Sequence, residues 1–223
     1  GRRSMIGNHV YVIRVPRVQI PNSPPKTSAG FVSCSIKSGA LFLLKKGENR
    51  VRLFHVSEEP DIQVFYPRLP KRKDLDQSIG LVWALDEARL PNFLTPRDCP
   101  RVAYYAGSQT TDADRKRFFS SPSAAHAVVI ENKWIPAMLN TTLHLYEFHT
   151  EDFVLQDSAA GYYVATTTQI PKKKHVLNNA FGALLRRNVE IRIIDNLWDI
   201  ADDVKASTLN WSLCRMANAA PRA

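Results

Sequence analysis

The sequence has little cysteine, little glycine and no long hydrophobic run. Its three cysteines, Cys34, Cys99 and Cys214, are widely spaced and odd in number, which argues against a disulfide scaffold and favours a reducing, cytoplasmic setting. No apolar run approaches the roughly 18 residues that a membrane span requires, so no contact with a membrane is predicted.

Motifs for metal and phosphate binding are also missing. There is no Cys-x-x-Cys or His-x-x-x-His pair, and the spacing of His144 and His149 points them to opposite faces of a strand. The nine glycines form no Gly-x-Gly-x-x-Gly loop and no Gly-x-x-x-x-Gly-Lys-Ser/Thr loop. No metal cofactor is therefore predicted. Arg97 and Arg101 near Cys99 favour a thiolate, but adjacent Asp98 opposes it, so a surface loop is the preferred interpretation.

The net charge of +9 is confined to the N-terminal quarter of the chain. Residues 1–54 contain 10 of the 30 Lys and Arg residues and only one of the 21 acidic residues, so the remainder is neutral. We therefore divide the chain into a basic, β-rich N-terminal extension, residues 1–51, and a main domain, residues 52–223. The extension is interpreted as a solvated arm, a small β ribbon or a leader ahead of the natural start, with Gly1 indicating a processed or engineered end. Binding of nucleic acid through residues 1–51 is a less favoured alternative.

Many short strands and few scattered helices predict an α+β domain with mixed or antiparallel sheets and short flanking helices. Pro91 is expected to end a helical turn in "DEARLPNF". Trp198 and Trp211 are assigned to the core. Strands are predicted in "VRLFHV", "IGLVWAL", "RVAYYAG", "AHAVVIE", "TTLHLYEFH", "AAGYYVATTTQI", "VEIRII" and "TLNWSLCRM", and helices in "TTDADRKRFF", "LNNAFGALLRRN" and "NLWDIADDVKAS", with a half-helical "KWIPAMLN".

The stretch "RLFHVSEEPDIQVFYPR", residues 52–68, is the best candidate for a site. His55 lies near the end of a strand, Ser57 points to the same face, and Arg52 and Arg68 are suited to binding phosphate. The alternative is a buried core histidine followed by a helix cap at "SEEP". Tyr104-Tyr105 and Tyr162-Tyr163 are each interpreted either as a cleft ring beside a core ring or as cross-strand packing.

From about Arg52 to Arg222 the chain resembles a family of uncharacterised bacterial proteins. The matching pieces are "FHVSEEPDIQVFYPR", "LVWALD", "PRDCPRVAYY", "AAGYYV", "VEIRIIDNLWDIADDVKASTL" and "CRMANAAPR". This resemblance implies no particular activity.

The order "LFHVS", "VWALDEARLPNF", "LHLYEFHTEDF" and "GYYVATTTQIPKKKHV" is also similar to small ADP-ribosyltransferase-like domains. That resemblance implies that His55 and Ser57 hold the nicotinamide ribose of NAD and that Trp83 belongs to the second motif. It also implies a catalytic glutamate near Gly161 or Tyr162, where this sequence has no acid. Either another acid such as Glu147 or Glu58 takes that role, or the fold binds a nucleotide without that chemistry. The scaffold further resembles RNA 2′-phosphotransferases, and this variant of the resemblance implies phosphate contacts from Arg68, Arg97 and Arg101.

The leading hypothesis is an ADP-ribosyltransferase-like domain that binds NAD or a related nucleotide and, if it is an enzyme, cleaves the bond to nicotinamide. A non-catalytic module that binds a ligand or a protein partner is the alternative. The residues predicted for catalysis are His55 and Glu147, and those for NAD binding are His55, Ser57, Arg68, Trp83, Arg97, Tyr104 and Tyr162.

Overall fold

A computed structural model describes residues 11–13, 51–70 and 75–222. Most of the predicted extension, including the proposed β ribbon, lies outside these residues. The part of the chain that is described contains no helix long and apolar enough to cross a membrane.

The described residues form eleven strands and four short α-helices. The strands are β1 (Tyr11–Ile13), β2 (Leu53–Ser57), β3 (Val82–Asp86), β4 (Arg101–Tyr105), β5 (His126–Glu131), β6 (Leu143–Phe148), β7 (Val154–Asp157), β8 (Tyr162–Ala165), β9 (Lys173–Leu177), β10 (Glu190–Ile194) and β11 (Asn210–Cys214). The helices are α1 (Asp112–Phe118), α2 (Ile135–Asn140), α3 (Ala180–Arg186) and α4 (Trp198–Lys205), and 3₁₀ turns cover Leu90–Phe93, Asn132–Trp134 and Met216–Asn218.

The strands are arranged in two sheets. The first has the order β1-β10-β5-β4-β11 and is mixed, because β10 and β5 are parallel while the other pairs are antiparallel. The second has the order β7-β8-β3-β2-β6-β9 and is antiparallel throughout. The fold is therefore α+β with mixed and antiparallel sheets and short helices, as the sequence predicts.

Three hydrophobic clusters stabilise this arrangement. The largest lies between the sheets and joins Phe54 of β2 and Leu145 of β6 to Val128 of β5 and Ile191 of β10, with α3 packed against it. A second covers the other face of the mixed sheet with α1 and α4. A third lies on the opposite face of the antiparallel sheet. Because both faces of the sheets are covered, every position of β4 and β6 is buried and most of these positions are apolar.

One local prediction, the start of α1, is confirmed, and two others, at Pro91 and Trp211, need correction. Thr111 accepts a hydrogen bond from the main chain of Asp114 and begins α1, as its capping position indicates. Pro91, in contrast, lies inside the first turn of the 3₁₀ segment Leu90–Phe93, because proline at that position loses no intrahelical hydrogen bond. The assignment of Trp211 to the core is wrong, since it lies on the edge strand β11 and is 42% exposed.

Candidate functional site

A cleft of about 940 Å³ opens where the ladder between β2 and β3 ends. The central strand β2 pairs with β6 through all five of its residues but with β3 only at Leu53 and Phe54. Beyond Phe54 the two strands contribute residues to the walls of the cleft instead of to a continuous ladder. The residues predicted for the site that line this cleft are His55, Ser57, Arg68, Trp83, Arg97 and Tyr162.

His55 is held at the wall of the cleft by the neighbouring strand. Its Nδ1 lies 3.0 Å from the carbonyl oxygen of Trp83, and its ring packs 4.9 Å from the ring of Phe65. Burial lowers the pKa of His55, and the positive charges of Arg97 and Arg68 lower it further against the opposing effect of the hydrogen bond. The imidazole is therefore neutral near pH 7. Nδ1–H donates to the carbonyl, and Nε2 is an acceptor that makes no hydrogen bond with the described residues.

Two exposed guanidinium groups line the cleft close to this imidazole. The side chains of Arg68 and Arg97 make no hydrogen bond or ion pair with any residue in the described ranges, although both act electrostatically on His55. The main chain at Arg97 is fixed, because its N–H donates to Oε1 of Glu58 at 2.7 Å and its carbonyl accepts from Nε of Arg215 at 3.2 Å. Such guanidinium groups are suited to binding phosphate or carboxylate oxygens.

The aromatic rings of Trp83, Phe93 and Tyr162 form another part of the cleft wall. The ring of Tyr162 makes edge contacts with Trp83, at 5.3 Å between centroids, and with Phe93, at 5.8 Å. The guanidinium of Arg101 lies 4.9 Å from the ring centre of Phe93. These partly buried rings offer apolar surface on which a planar base can pack.

Ser57 and Glu58 follow His55 at the end of β2. The hydroxyl oxygen of Ser57 accepts a hydrogen bond from the main-chain N–H of Glu59 at 3.1 Å and keeps its own proton for donation. Glu58 is exposed and lines the cleft, so it brings a carboxylate to the same region as His55.

Glu147 does not line the cleft. It pairs with Phe54 across the β2–β6 ladder, whereas His55 pairs with Tyr146, so the two side chains point to opposite faces of the sheet. The carboxylate of Glu147 is buried and accepts two hydrogen bonds from Arg52, at 2.9 and 3.0 Å. Nζ of Lys172 at 3.2 Å and Nε2 of His175 at 3.1 Å complete its partners.

The hydrogen bonds from Arg52 hold the pKa of Glu147 well below its usual range, and the contacts from His175 and Lys172 act in the same direction. A carboxylate enclosed by three basic side chains is a structural anchor rather than a free acid–base group.

Tyr104 and Cys99 are buried and, like Glu147, do not line the cleft. Tyr104 is fully buried and donates its hydroxyl to the carbonyl oxygen of Phe118 at 2.8 Å, and burial raises its pKa. Cys99 is fully buried rather than in a surface loop, and burial raises the pKa of its thiol to about 12. A thiol with so high a pKa is not a nucleophile near neutral pH.

Gly161 explains why no acid lies where the ADP-ribosyltransferase resemblance implies a glutamate. Its φ is +65°, which side-chain-bearing residues rarely adopt. A Cβ at this position would also collide with the side chain of Arg89 and with Oδ1 of Asp86. A glutamate at Gly161 is therefore incompatible with this turn.

The cleft residues that the sequence did not indicate include Phe93, Thr95 and Arg215. Phe93 ends the 3₁₀ turn after β3, and Thr95 lies two residues further on. This short segment has no hydrophobic period that would indicate which of its side chains face a cleft. Arg215 follows β11 with a φ of 56°, in the left-handed region that non-glycine residues seldom occupy. Among the described residues, no group of three His, Cys, Asp or Glu side chains is placed to hold a metal ion.

The comparisons with known proteins identify a family but no activity. A family of unknown function (DUF6886) matches residues 54–219, which is most of the chain, and the protein belongs to this family. A search of curated proteins and a search of solved structures each found no match. The likeness to ADP-ribosyltransferase-like domains stays a prediction.

Proposed function

We propose that the cleft binds a nucleotide of the NAD type, with the phosphates on Arg68 and Arg97, a ribose hydroxyl on Nε2 of His55 and a planar base against Trp83 and Tyr162. The observation that carries the proposal is the convergence of a neutral imidazole, two guanidinium groups without carboxylate partners among the described residues, and aromatic rings around one cleft. Each of these groups matches one chemical part of a dinucleotide.

The size of the cleft supports the same ligand class. A volume of about 940 Å³ is at the upper end of the roughly 300–1,000 Å³ that is typical of small-molecule sites. A single phosphate or a sugar would fill only a small part of it. A ligand with two phosphates, two sugars and two rings uses the charged, polar and aromatic parts of the wall together.

The placement of Glu147 favours binding without glycosidic cleavage. ADP-ribosyl transfer requires a carboxylate that stabilises the developing positive charge on the ribose. Glu147 lies on the opposite face of the sheet, where Arg52 and Lys172 pair with its charge and His175 contacts it at 3.1 Å. Glu58 and Glu59 are the described carboxylates that line the cleft, and Glu58 is the one that the sequence predicted for this role.

The test is calorimetric titration of the purified protein with NAD, with chromatography of the same mixture for released nicotinamide. We expect heat of binding for the wild type, a loss of affinity of at least tenfold in His55→Ala, and no change in His149→Ala, whose ring is exposed and outside the cleft. Release of nicotinamide that Glu58→Gln abolishes would make the protein an enzyme. Absence of binding heat over the accessible concentration range contradicts the proposal.

A further inference from the structure

One of the cleft's arginines, Arg101, is buried without an acidic partner. It is 5% exposed, yet it forms no ion pair with a carboxylate in the described part of the chain. Its Nε and Nη1 donate to the carbonyl oxygens of Asn92 and Cys99, and its Nη2 makes no hydrogen bond with the described residues. A buried guanidinium is always charged, and burial of a charge is costly unless a counter-charge compensates it.

The hydroxyl of Thr95, in the same cleft, also lacks a partner. Thr95 is 3% exposed, and its Oγ1 is fully buried with no hydrogen bond within the described structure. Buried hydroxyl groups are nearly always hydrogen-bonded, so an orphaned one in the wall of a cleft is available to donate to a ligand atom. Thr95 follows the 3₁₀ turn that carries Asn92 and Phe93, both of which contact Arg101.

We propose that Thr95 and Arg101 form a subsite for a phosphoryl group at the buried side of the cleft. A phosphate oxygen accepts a hydrogen bond from the Thr95 hydroxyl, and its negative charge compensates the Arg101 guanidinium. This inference rests on the proposed nucleotide function for the identity of the whole ligand. It adds that one phosphoryl group is held away from the exposed arginines Arg68 and Arg97, in surroundings where solvent screening is weak.

The sharpest variant is Thr95→Val, which keeps the shape and removes only the hydroxyl. Because that hydroxyl has no partner among the described residues, we expect Thr95→Val to unfold at the same temperature as the wild type or slightly higher. Its affinity for inorganic phosphate is expected to fall about tenfold, the effect of one hydrogen bond to a charged group. Thr166→Val, at an exposed position outside the cleft, is the matched control. Arg101→Lys serves as a second variant that keeps the charge but loses the planar fork.

The titrations use inorganic phosphate and, separately, NAD, at constant ionic strength with chloride as the competing anion. If Thr95→Val weakens both, and phosphate competes with NAD, the subsite holds a phosphoryl group of the nucleotide. If it weakens phosphate binding alone, the subsite takes a separate phosphate. Binding of phosphate but not NAD to the wild type, weakened by Thr95→Val, supports the subsite and contradicts the nucleotide function. Equal phosphate affinity in wild type and Thr95→Val, or no phosphate binding at all, overturns the subsite even where NAD binds.

Discussion

The Nδ1 atom of His55 lies 3.0 Å from the carbonyl oxygen of Trp83, at the position where β2 and β3 stop pairing. A carbonyl oxygen only accepts, so Nδ1 carries the proton and the lone pair of the neutral ring is on Nε2. The hydrogen bond from His55 thus satisfies the carbonyl oxygen of Trp83 near the end of the ladder. It also fixes the tautomer of His55, which lines the cleft.

The affinity for NAD should depend on pH through His55. Its pKa is lowered from the ordinary value of about 6.5, so the ring stays neutral above that pH and affinity should be constant there. Below the lowered pKa of His55, protonation of Nε2 removes the acceptor for the ribose hydroxyl, and affinity should fall by up to about tenfold per pH unit. Calorimetry from neutral pH down to the lowest pH at which the protein stays folded measures this change, with His55→Gln expected to be independent of pH. A rise in wild-type affinity on acidification would mean that a charged ring contacts the phosphates instead.

Arg68 and Arg97 are predicted to contribute separately to nucleotide binding. Each variant, Arg68→Gln or Arg97→Gln, should weaken NAD affinity about tenfold, because a hydrogen bond from a charged donor is lost and no partner in the described residues is left unpaired. The dependence of affinity on salt should become shallower in both variants. Arg186→Gln, on the exposed side of α3 and outside the cleft, controls for the change in net charge. Equal losses in all three variants would indicate a general effect of charge rather than a site.

Glu147 is predicted to stabilise the fold without contributing to the cleft. Glu147→Gln should reduce the free energy of unfolding by about 1–2 kcal/mol, since Arg52, Lys172 and His175 lose a buried anion but remain partly hydrated. The low pKa of Glu147 means that its contribution is complete above about pH 4.5 and is lost as the pH falls through the acid range. Denaturant unfolding measures this, and Glu87→Gln, which removes the exposed carboxylate on the same Arg52, should cost less. A loss of NAD affinity in Glu147→Gln with unchanged stability would assign Glu147 to the site after all.

The sequence predicts the buried strands well but does not predict β7 and β9, the edge strands of the antiparallel sheet. β2 to β6 carry apolar or alternating residues because the interior imposes that pattern, and all of them are recognisable. β7 and β9 lie at the two edges of the antiparallel sheet, where Val154 and Val176 are exposed. Each of these two strands pairs with only one neighbour in its sheet. Their residues therefore show no hydrophobic period that marks them as strands in the sequence.

The sequence likewise indicates some features of the candidate site and not others. The alternation along β6 indicates that Glu147 and Tyr146 point to opposite faces, but it does not indicate which face shares the cleft with His55. That depends on the register between β2 and β6, which is a long-range property of the fold. The role proposed for Thr95 depends on a hydroxyl that finds no partner within the described part of the folded chain, and no local pattern in the sequence carries that information.

A second partly buried histidine, His126, should make the stability of the protein depend on pH. Burial, assisted by the charge of Arg89, lowers the pKa of His126 to about 4, while Nε2 lies 2.7 Å from Oδ1 of Asn92. The unfolded chain binds a proton near pH 6.5 and the folded protein does not, so stability should fall as the pH drops from about 6.5 to about 4 and then level off. The loss amounts to about 3 kcal/mol for this shift. Denaturant unfolding across this range should show a shallower decline in His126→Gln, whose amide still donates to Asn92, and a wild-type profile in His149→Gln. A decline of equal slope in wild type and His126→Gln would assign the acid sensitivity to other groups.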